Sequence, residues 1–267
     1  LKAAVWIQPR WIFFGELQRQ PPNSLMWSEI GQAQPEAGLR TTEAWAESPM
    51  PSRFPRLTLW CVDCNTWRAE CVRLCLFSAG MPFEDRRLTY TELYSSGRLR
   101  FGTFPVLEIG GRTIAQTHAI ATYVGKLTGF YPSDPWMAAK VDEVLGGLTD
   151  ATDLLANTVQ EMNLHRKVLA RQSLIVEDGR LTVMLAGLED ILDENGQNGL
   201  CAGNDLTIAD FAVWRAVGWI SGSVDGIPQD YIARCFPQLW NLHKEIDTLA
   251  CVKAWKERHP QYYRPIC

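Results

Sequence analysis

The residues around Pro105 and Gln116 have the types and spacing to bind a peptide-like ligand. Pro105 directly precedes an apolar run that begins at Val106. A cis peptide bond before this proline would turn the N–H and C=O groups of Val106 outward, where an extended ligand can pair with them as an added strand does. Further along, Gln116 and Thr117 open a predicted helix. The free N–H groups and positive dipole end of its first turn attract a carboxylate.

A second group of reactive residues is the segment Cys61-Val62-Asp63-Cys64, which stands just before another predicted helix. A thiol near a helix N-terminus is activated, because the positive end of the helix dipole stabilises the thiolate. Two cysteines at this spacing before a helix resemble the redox pair of glutaredoxin-like proteins. Cys64 is therefore a candidate for thiol–disulfide exchange, while Cys61 is expected to lie in the preceding strand.

The elements that position these residues form a predicted α/β domain. β-rich runs, a hairpin turn at Gly110-Gly111 and apolar periods of the helical type define the elements. In chain order they are a strand at 57–62, a helix at 67–79, a strand at 83–88, a loose helical stretch at 91–98, strands at 106–109 and 112–115, and a helix from 116 or 117. Thr117 is the predicted N-cap of the last helix. The order is thioredoxin-like, with a right-handed crossover between the first two strands.

The second half of the chain is predicted to be helical throughout. Tyr131-Pro132-Ser133-Asp134-Pro135 has the composition of a linker. Apolar periods then predict helices at 136–163, 181–194, 208–220 and 237–256. Thr207 and Asp210 give the third helix a capping box, with aspartate in place of the usual glutamate. The predicted fold class is a thioredoxin-like α/β domain followed by an all-α domain.

The stretch from Phe101 to Val124 resembles the glutathione-binding half of the cytosolic glutathione transferases, most closely the sigma class. Three later segments resemble packing motifs in the helical domain of the same family: Asn204-Asp205-Leu206-Thr207-Ile208-Ala209-Asp210-Phe211, Phe236-Pro237-Gln238-Leu239 and Val252-Lys253-Ala254-Trp255. The resemblance covers about residues 56–262. It implies the glutathione transferase fold.

The resemblance also implies which residues bind glutathione. The backbone of Val106 is expected to hold the cysteine of glutathione, and Gln116 and Thr117 its γ-glutamyl group, with threonine in place of the usual serine. Asp150 matches an aspartate that reaches across the dimer interface of the family to the γ-glutamyl amine. Arg68 matches the arginine of an Arg-Ala-Glu segment in the first helix. Glutathione is thus the expected co-substrate.

The position of the expected catalytic tyrosine is occupied by Val62, which has no hydrogen-bond donor. In sigma-class members this tyrosine stands six residues before the Arg-Ala-Glu segment, and counting back from Arg68 reaches Val62. In the same count, Thr66 falls where the zeta class has its catalytic serine and the omega class its cysteine. Thr66 and Cys64 are therefore the candidate catalytic residues. The alternative for Thr66 is a capping residue at the start of the first helix.

Charge and composition argue against several other classes. With 267 residues and a net charge of −4, the chain lacks the basic character that nucleic-acid binding requires. No apolar run approaches the roughly 20 residues of a membrane span. Eight cysteines and no recognisable signal peptide fit a reducing compartment, so a cytoplasmic location is expected. The four histidines show no metal-ligand spacing, and no metal site is predicted.

The predicted organisation has three parts. Residues 1–55 hold seven of the fifteen prolines and no sustained period, which predicts an extended or disordered leader. Residues 56–133 are the predicted thioredoxin-like glutathione-binding domain, and residues 134–267 the helical domain. The expected function is conjugation of glutathione to small hydrophobic electrophiles by a homodimer. Two alternatives stay open: a non-catalytic binding or structural relative, and a glutathione-dependent thiol–disulfide oxidoreductase that uses Cys64.

Overall fold

The structure is a computed structural model that describes residues 55–64 and 66–263, so the predicted leader, apart from Pro55, lies outside the described residues. The first half contains β1 (Leu57–Val62), α1 (Trp67–Ser78), β2 (Glu84–Leu88), α2 (Tyr90–Ser95), β3 (Val106–Ile109), β4 (Arg112–Ala115) and α3 (Thr117–Thr128). The second half contains α4 (Pro135–Ala156), α5 (Leu164–Leu174), α6 (Arg180–Glu194), α7 (Ile208–Ser223), α8 (Tyr231–Cys235), α9 (Pro237–Thr248) and α10 (Ala250–Arg258), followed by a 3₁₀ turn at Pro260–Tyr262. The predicted fold class is confirmed.

The sheet is mixed, with strand order β2-β1-β3-β4. β1 pairs in parallel with β2 and antiparallel with β3, and β3 pairs antiparallel with β4. A parallel pair needs a crossover connection, which α1 supplies. In β1 the alternating residues Leu57, Leu59 and Cys61 are buried, as the two-residue period of a strand requires.

The helix α7 is the centre around which the two halves pack. It contacts α1 from the first half and α4 and α9 from the second. Its residues Ile208, Phe211, Trp214 and Val217 are all buried, and a helix that is apolar on several sides is typical of a protein interior. Because α1 packs against both α3 and α7, it joins the half that contains the sheet to the helical half.

The predicted capping box of α7 is confirmed. One carboxylate oxygen of Asp210 accepts hydrogen bonds from the backbone N–H and the hydroxyl of Thr207, at 2.6 and 2.8 Å. The other accepts the backbone N–H of Cys201 at 2.7 Å. Burial raises the pKa of Asp210, and these hydrogen bonds lower it in part. The carboxylate thus satisfies donors that a buried helix start would otherwise leave unpaired.

Two predicted helices differ from the structure. The helix predicted at 136–163 ends at Ala156, and a separate helix, α5, begins after Asn163. The side chain of Asn163 accepts the N–H of Arg166 at 3.1 Å, so Asn163 caps a new helix rather than ending the old one. The helix predicted at 237–256 is divided into α9 and α10, because Leu249 is extended, with φ −60° and ψ 138°. Within the described ranges, no helix is long and apolar enough to cross a membrane.

Candidate active site

Three segments of the chain meet at one edge of the sheet. In the strand register, Trp60 near the end of β1 lies opposite Val106 at the start of β3, and Val106 lies opposite Ala115 at the end of β4. The loop after β1, the residues before β3 and the start of α3 must therefore lie side by side. This edge holds the predicted residues Cys64, Thr66, Val106, Gln116 and Thr117.

The bond between Phe104 and Pro105 is cis, as expected from the sequence. The residue after it, Val106, is fully buried between β1 and β4. Binding of a ligand to the backbone of Val106 stays a prediction.

Gln116 has an unusual backbone conformation at the start of α3. Its φ of 76° and ψ of 123° lie in a region that residues other than glycine rarely adopt, and this costs on the order of 1–3 kcal/mol. The carbonyl of Gln116 accepts the N–H of Ile120 at 3.0 Å, so Gln116 is the N-cap and Thr117 the first helical residue. The prediction that Thr117 caps this helix is therefore wrong. Gln116 itself is exposed, while Thr117 is buried.

Thr66 caps α1, as the alternative interpretation of this residue predicted. Its hydroxyl oxygen accepts the backbone N–H of Arg68 at 3.2 Å. Capping uses a lone pair of the oxygen and leaves the hydroxyl proton available to a second acceptor. The capping role and a role as hydrogen-bond donor to a thiolate are thus compatible, and the catalytic role of Thr66 stays a prediction.

Arg68 connects α1 to α4. Its guanidinium lies 2.5 Å from a carboxylate oxygen of Asp153. The neighbouring Trp67 indole donates to the Thr152 hydroxyl at 3.0 Å. Asp150 is exposed on the same helix α4. Val62 ends β1 and is half-buried, and its side chain offers no donor. The roles of Arg68 and Asp150 in binding glutathione stay predictions.

Two cysteines of different burial, Cys61 and Cys64, stand before α1. The hydrogen bond from Cys61 is the largest cause that lowers the pKa of Cys64 to about 7, and the N–H of Thr66 and the charges of Arg73 and Arg87 lower it further against the effect of burial. The same hydrogen bond and burial raise the pKa of Cys61. Cys64 is half-buried, whereas Cys61 is fully buried in β1. Of the two thiols, Cys64 is therefore the one that ionises at the lower pH.

A buried charged cluster, which the sequence did not predict, lies behind this loop. Arg73 contacts Glu70 at 2.9 Å and Asp85 at 3.0 Å, and its side chain is 0% exposed. Arg87 contacts Asp85 at 2.7 Å. Burial opposes the charge of Glu70, but Arg73 and the hydrogen bonds of Tyr263 and Trp255 lower the pKa of Glu70 below its ordinary value. Among the described residues, one terminal nitrogen of Arg73 and both terminal nitrogens of Arg87 have no hydrogen-bond partner.

Aromatic residues from α10 and the 3₁₀ turn after it form hydrogen bonds with the loop after β1 and with α1. The Tyr262 hydroxyl donates to Asp63 in the loop after β1, and the Tyr263 hydroxyl donates to Glu70. The indole of Trp255 in α10 also donates to Glu70, at 2.6 Å. No local pattern marks these aromatic residues as neighbours of the first strand, because their partners lie in the other half of the sequence.

An open hollow of about 610 Å³ lies where α3 faces α4. It is lined by residues of β4, α3 and α4, among them Ile114, His118, Tyr123 and Asp142. His118 contacts the backbone carbonyl of Asp142 at 3.2 Å, which holds the two helices together beside the hollow. The described residues contain no group of three or more His, Cys, Asp or Glu side chains that could hold a metal ion.

Comparisons with known proteins agree with this geometry. The family model for the glutathione S-transferase N-terminal domain matches residues 56–126, and the model for the C-terminal domain matches residues 152–259. Glutathione S-transferase A1 of Mus musculus is 31% identical over 147 residues, which are 54% of this chain and 64% of that protein. Glutathione S-transferase alpha-1 of Rattus norvegicus is 29% identical over 203 residues, which are 74% of this chain and 87% of that protein. This chain thus spans 64% of the length of the first of these relatives.

Solved structures show the same fold. A prostaglandin synthase D of Nilaparvata lugens superposes with a TM-score of 0.66 at 23% identity, covering 77% of this chain and 99% of that one. A rat hPGDS complexed with a quinoline superposes with a TM-score of 0.64 at 24% identity, covering 76% and 97%. With an N-terminal and a C-terminal domain of one family matched in their order along the chain, this protein belongs to the glutathione transferase family.

Proposed function

We propose that this protein binds glutathione and conjugates it to small hydrophobic electrophiles, which enter between the two domains. The observation that carries the proposal is the sheet edge where the start of β3 meets the start of α3. There the backbone of Val106, which follows a cis-proline, lies beside the end of β4 and the helix start at Gln116 and Thr117. The two matched domains of the family support the same function.

Recognition of the γ-glutamyl group rests on the first turn of α3. The N–H groups of this turn have no partner within the helix, and the helix dipole adds roughly half a positive charge at this end. A carboxylate is the natural ligand for such a turn. The exposed side-chain amide of Gln116 stands at the same point. Strained backbone of the kind found at Gln116 persists mainly where function requires it, which supports a binding role for this residue.

Two substitutions of Gln116 separate binding from strain. Gln116→Ala removes the amide and is expected to weaken glutathione binding about tenfold, the effect of losing one hydrogen bond to a charged group. Gln116→Gly is expected to weaken binding to the same extent. It is also expected to raise the free energy of unfolding by about 1 kcal/mol, because glycine adopts a positive φ without strain. Calorimetric titration with glutathione and urea unfolding measure the two effects.

Gln197 provides the matched control, since it is a second glutamine with a positive φ, of 56°. Gln197→Gly is expected to leave glutathione affinity unchanged. If both Gln116 variants bound glutathione as well as the unaltered protein does, the proposed γ-glutamyl site would be wrong.

Activation of the thiol is assigned to Thr66. The family reaction needs the thiolate of glutathione, and Val62 cannot supply the hydrogen bond that favours it. The hydroxyl proton of Thr66 is not used in capping α1. Thr66 follows β1 at the end where Trp60 lies opposite Val106, the residue after the cis-proline. A hydrogen bond to charged sulfur contributes roughly 1.5–3 kcal/mol, more than the 0.3–1 kcal/mol expected from an exposed helix end.

We also propose a homodimer, a cytoplasmic location and a position near the sigma class. In a homodimer the exposed carboxylate of Asp150 on α4 would be available to the glutathione site of the second subunit. The cysteines in the described residues are free thiols, which supports a reducing compartment. The sigma class rests on the stretch from Phe101 to Val124, while rat relatives that match carry alpha-class names.

A further inference from the structure

Two tyrosines of α2 contact the segment of chain that leads into β3. The hydroxyl of Tyr94 donates a hydrogen bond to the backbone carbonyl of Gly102 at 2.6 Å. The hydroxyl of Tyr90 donates to the hydroxyl of Tyr94 at 3.0 Å. The ring of Tyr90 also lies perpendicular to the ring of Phe104, with 6.1 Å between the ring centres. The segment is thus contacted at two points shortly before the strand begins.

The helix that carries these tyrosines is itself fixed to the sheet. A helix of six residues is marginal by itself, because forming the first turn costs more than it returns. Here a capping box closes its first turn: the Thr89 hydroxyl accepts the N–H of Glu92 at 3.3 Å, and the Glu92 carboxylate accepts the N–H of Thr89 at 2.8 Å. Leu93 is fully buried, and α2 packs against β1 and β2. The helix is therefore a firm support for the two tyrosines.

The two tyrosines restrict each other's orientation. They are four residues apart and so lie on the same side of the helix. Their rings stack with 4.5 Å between the centres, and both side chains are exposed. An exposed ring contributes little through burial. The specific contribution of the pair is therefore its hydrogen bond to the carbonyl of Gly102.

The contacted segment lies outside the sheet but ends at a residue inside it. Val106 is the first residue of β3, and there the strand pairs with β1 and β4. Residues 102–105 precede the strand, so the sheet ladder does not hold them. The contacts with α2 restrict the course of this backbone up to Val106, whose own backbone is the proposed partner of glutathione.

We propose that Tyr94 is a positioning residue for glutathione binding, because its hydrogen bond to Gly102 holds the backbone before Val106 in the conformation that binds the ligand. Tyr90 assists by donating its own proton to the oxygen of Tyr94, which leaves the proton of Tyr94 to Gly102. This inference rests on the proposed function and adds to it two residues that act on the ligand only through the backbone.

Tyr94→Phe removes the hydroxyl and keeps the ring that stacks on Tyr90. Without the hydrogen bond the segment samples other conformations, and the apparent affinity falls with the fraction that is competent to bind. The dissociation constant of glutathione is expected to rise about three- to tenfold, the effect of losing one neutral hydrogen bond. The rate at saturating glutathione and the pKa of the bound thiol are expected to stay unchanged, since thiol activation is assigned to Thr66. Loss of folded protein would instead lower the rate at saturation.

A double-mutant cycle tests the role of Tyr90. Tyr90→Phe is expected to raise the dissociation constant by less than Tyr94→Phe does. The double variant is expected to bind glutathione as Tyr94→Phe does, because the hydroxyl of Tyr90 acts through that of Tyr94. Effects that add would contradict this arrangement of the two hydroxyls.

Tyr231→Phe is the matched control, because it removes a tyrosine hydroxyl that is hydrogen-bonded to the Thr182 hydroxyl at 2.7 Å in the helical half. It is expected to leave the affinity for glutathione unchanged. Hydrogen exchange of the full chain, measured without glutathione, provides a second readout. The amides of residues 101–107 are expected to exchange faster in Tyr94→Phe than in the control or the unaltered protein.

Unchanged exchange in residues 101–107 of Tyr94→Phe, or an unchanged dissociation constant, would overturn the proposal. The exchange measurement needs no ligand. If the unaltered protein failed to bind glutathione, the proposed function would be refuted, while exchange would still decide whether Tyr94 holds the segment. If Gln116→Ala weakened binding and Tyr94→Phe did not, the proposed function would stand and only the positioning role would be wrong.

Discussion

Replacing Glu70 with alanine is expected to lower the free energy of unfolding by about 3–5 kcal/mol, the cost of leaving a buried charge without its partner. Glu70 is fully buried and accepts hydrogen bonds from Trp255 and Tyr263 while it pairs with Arg73. When the carboxylate of Glu70 is removed, the guanidinium of Arg73 retains only Asp85 as an ion-pair partner. The indole N–H of Trp255 also loses its hydrogen-bond acceptor. Urea unfolding followed by tryptophan fluorescence measures the loss. Glu257→Ala, at an exposed position of α10, is the control and is expected to change stability by less than about 0.5 kcal/mol.

The pH dependence distinguishes charge from packing at this position. Because the pKa of Glu70 is lowered in the folded protein, its contribution to stability is present above the ordinary glutamate pKa of about 4.3 and is lost as the pH falls through the lowered value. The stability difference between the unaltered protein and Glu70→Gln is therefore expected to shrink as the pH falls below about 4. A difference that stayed constant down to acidic pH would show that the charge of Glu70 contributes little.

Replacing Thr66 with valine is expected to have the largest effect on catalysis. The variant loses the hydrogen bond to the thiolate, worth roughly 1.5–3 kcal/mol, so the pKa of bound glutathione rises by about one to two units. Below that pKa the conjugation rate is expected to fall by about ten- to a hundredfold. Thr66→Ser keeps the hydroxyl and is expected to restore both the pKa and the rate. Initial rates of conjugation against pH measure the effect.

A cap variant elsewhere controls for the loss of helix capping, since Thr66→Val also removes the N-cap of α1. Asn163→Ala removes the N-cap of α5, where the side chain accepts the N–H of Arg166. Each loss is expected to cost about 1 kcal/mol of stability, but only the change at Thr66 should slow conjugation. If Thr66→Val matched Thr66→Ser in rate, Thr66 would be a capping residue alone.

Where residues with strong local preferences mark the ends of an element, the sequence predicts its first and last residue correctly. β3 and β4 agree at both ends, because Pro105, the Gly110-Gly111 turn and the helix start at Gln116 mark their limits. The division between α9 and α10 could not be predicted, because Leu249 is neither glycine nor proline and both helices continue one apolar period across it. At Leu249 the packing of the helices, rather than local sequence preference, determines the backbone conformation.

From the sequence, only those residues of the candidate site can be identified that are neighbours along the chain or in the sheet. Thr66, Val106 and Gln116 lie in motifs that have local signals. The cluster of Glu70, Trp255 and Tyr263 does not, because each of these residues is compatible with many other positions and its partner lies in the other half of the chain.

Titration of the full chain with glutathione, with thiolate absorbance followed against pH in the complex, shows whether the protein binds glutathione and activates its thiol. It is best made in Cys64→Ser, since the pKa of Cys64, about 7, would otherwise add a second thiolate signal in the same range. We predict binding with a glutathione pKa clearly below the ordinary thiol value of about 8.5. No binding, or binding with an unchanged thiol pKa, would contradict the account, and the second outcome would indicate a non-catalytic relative of the family.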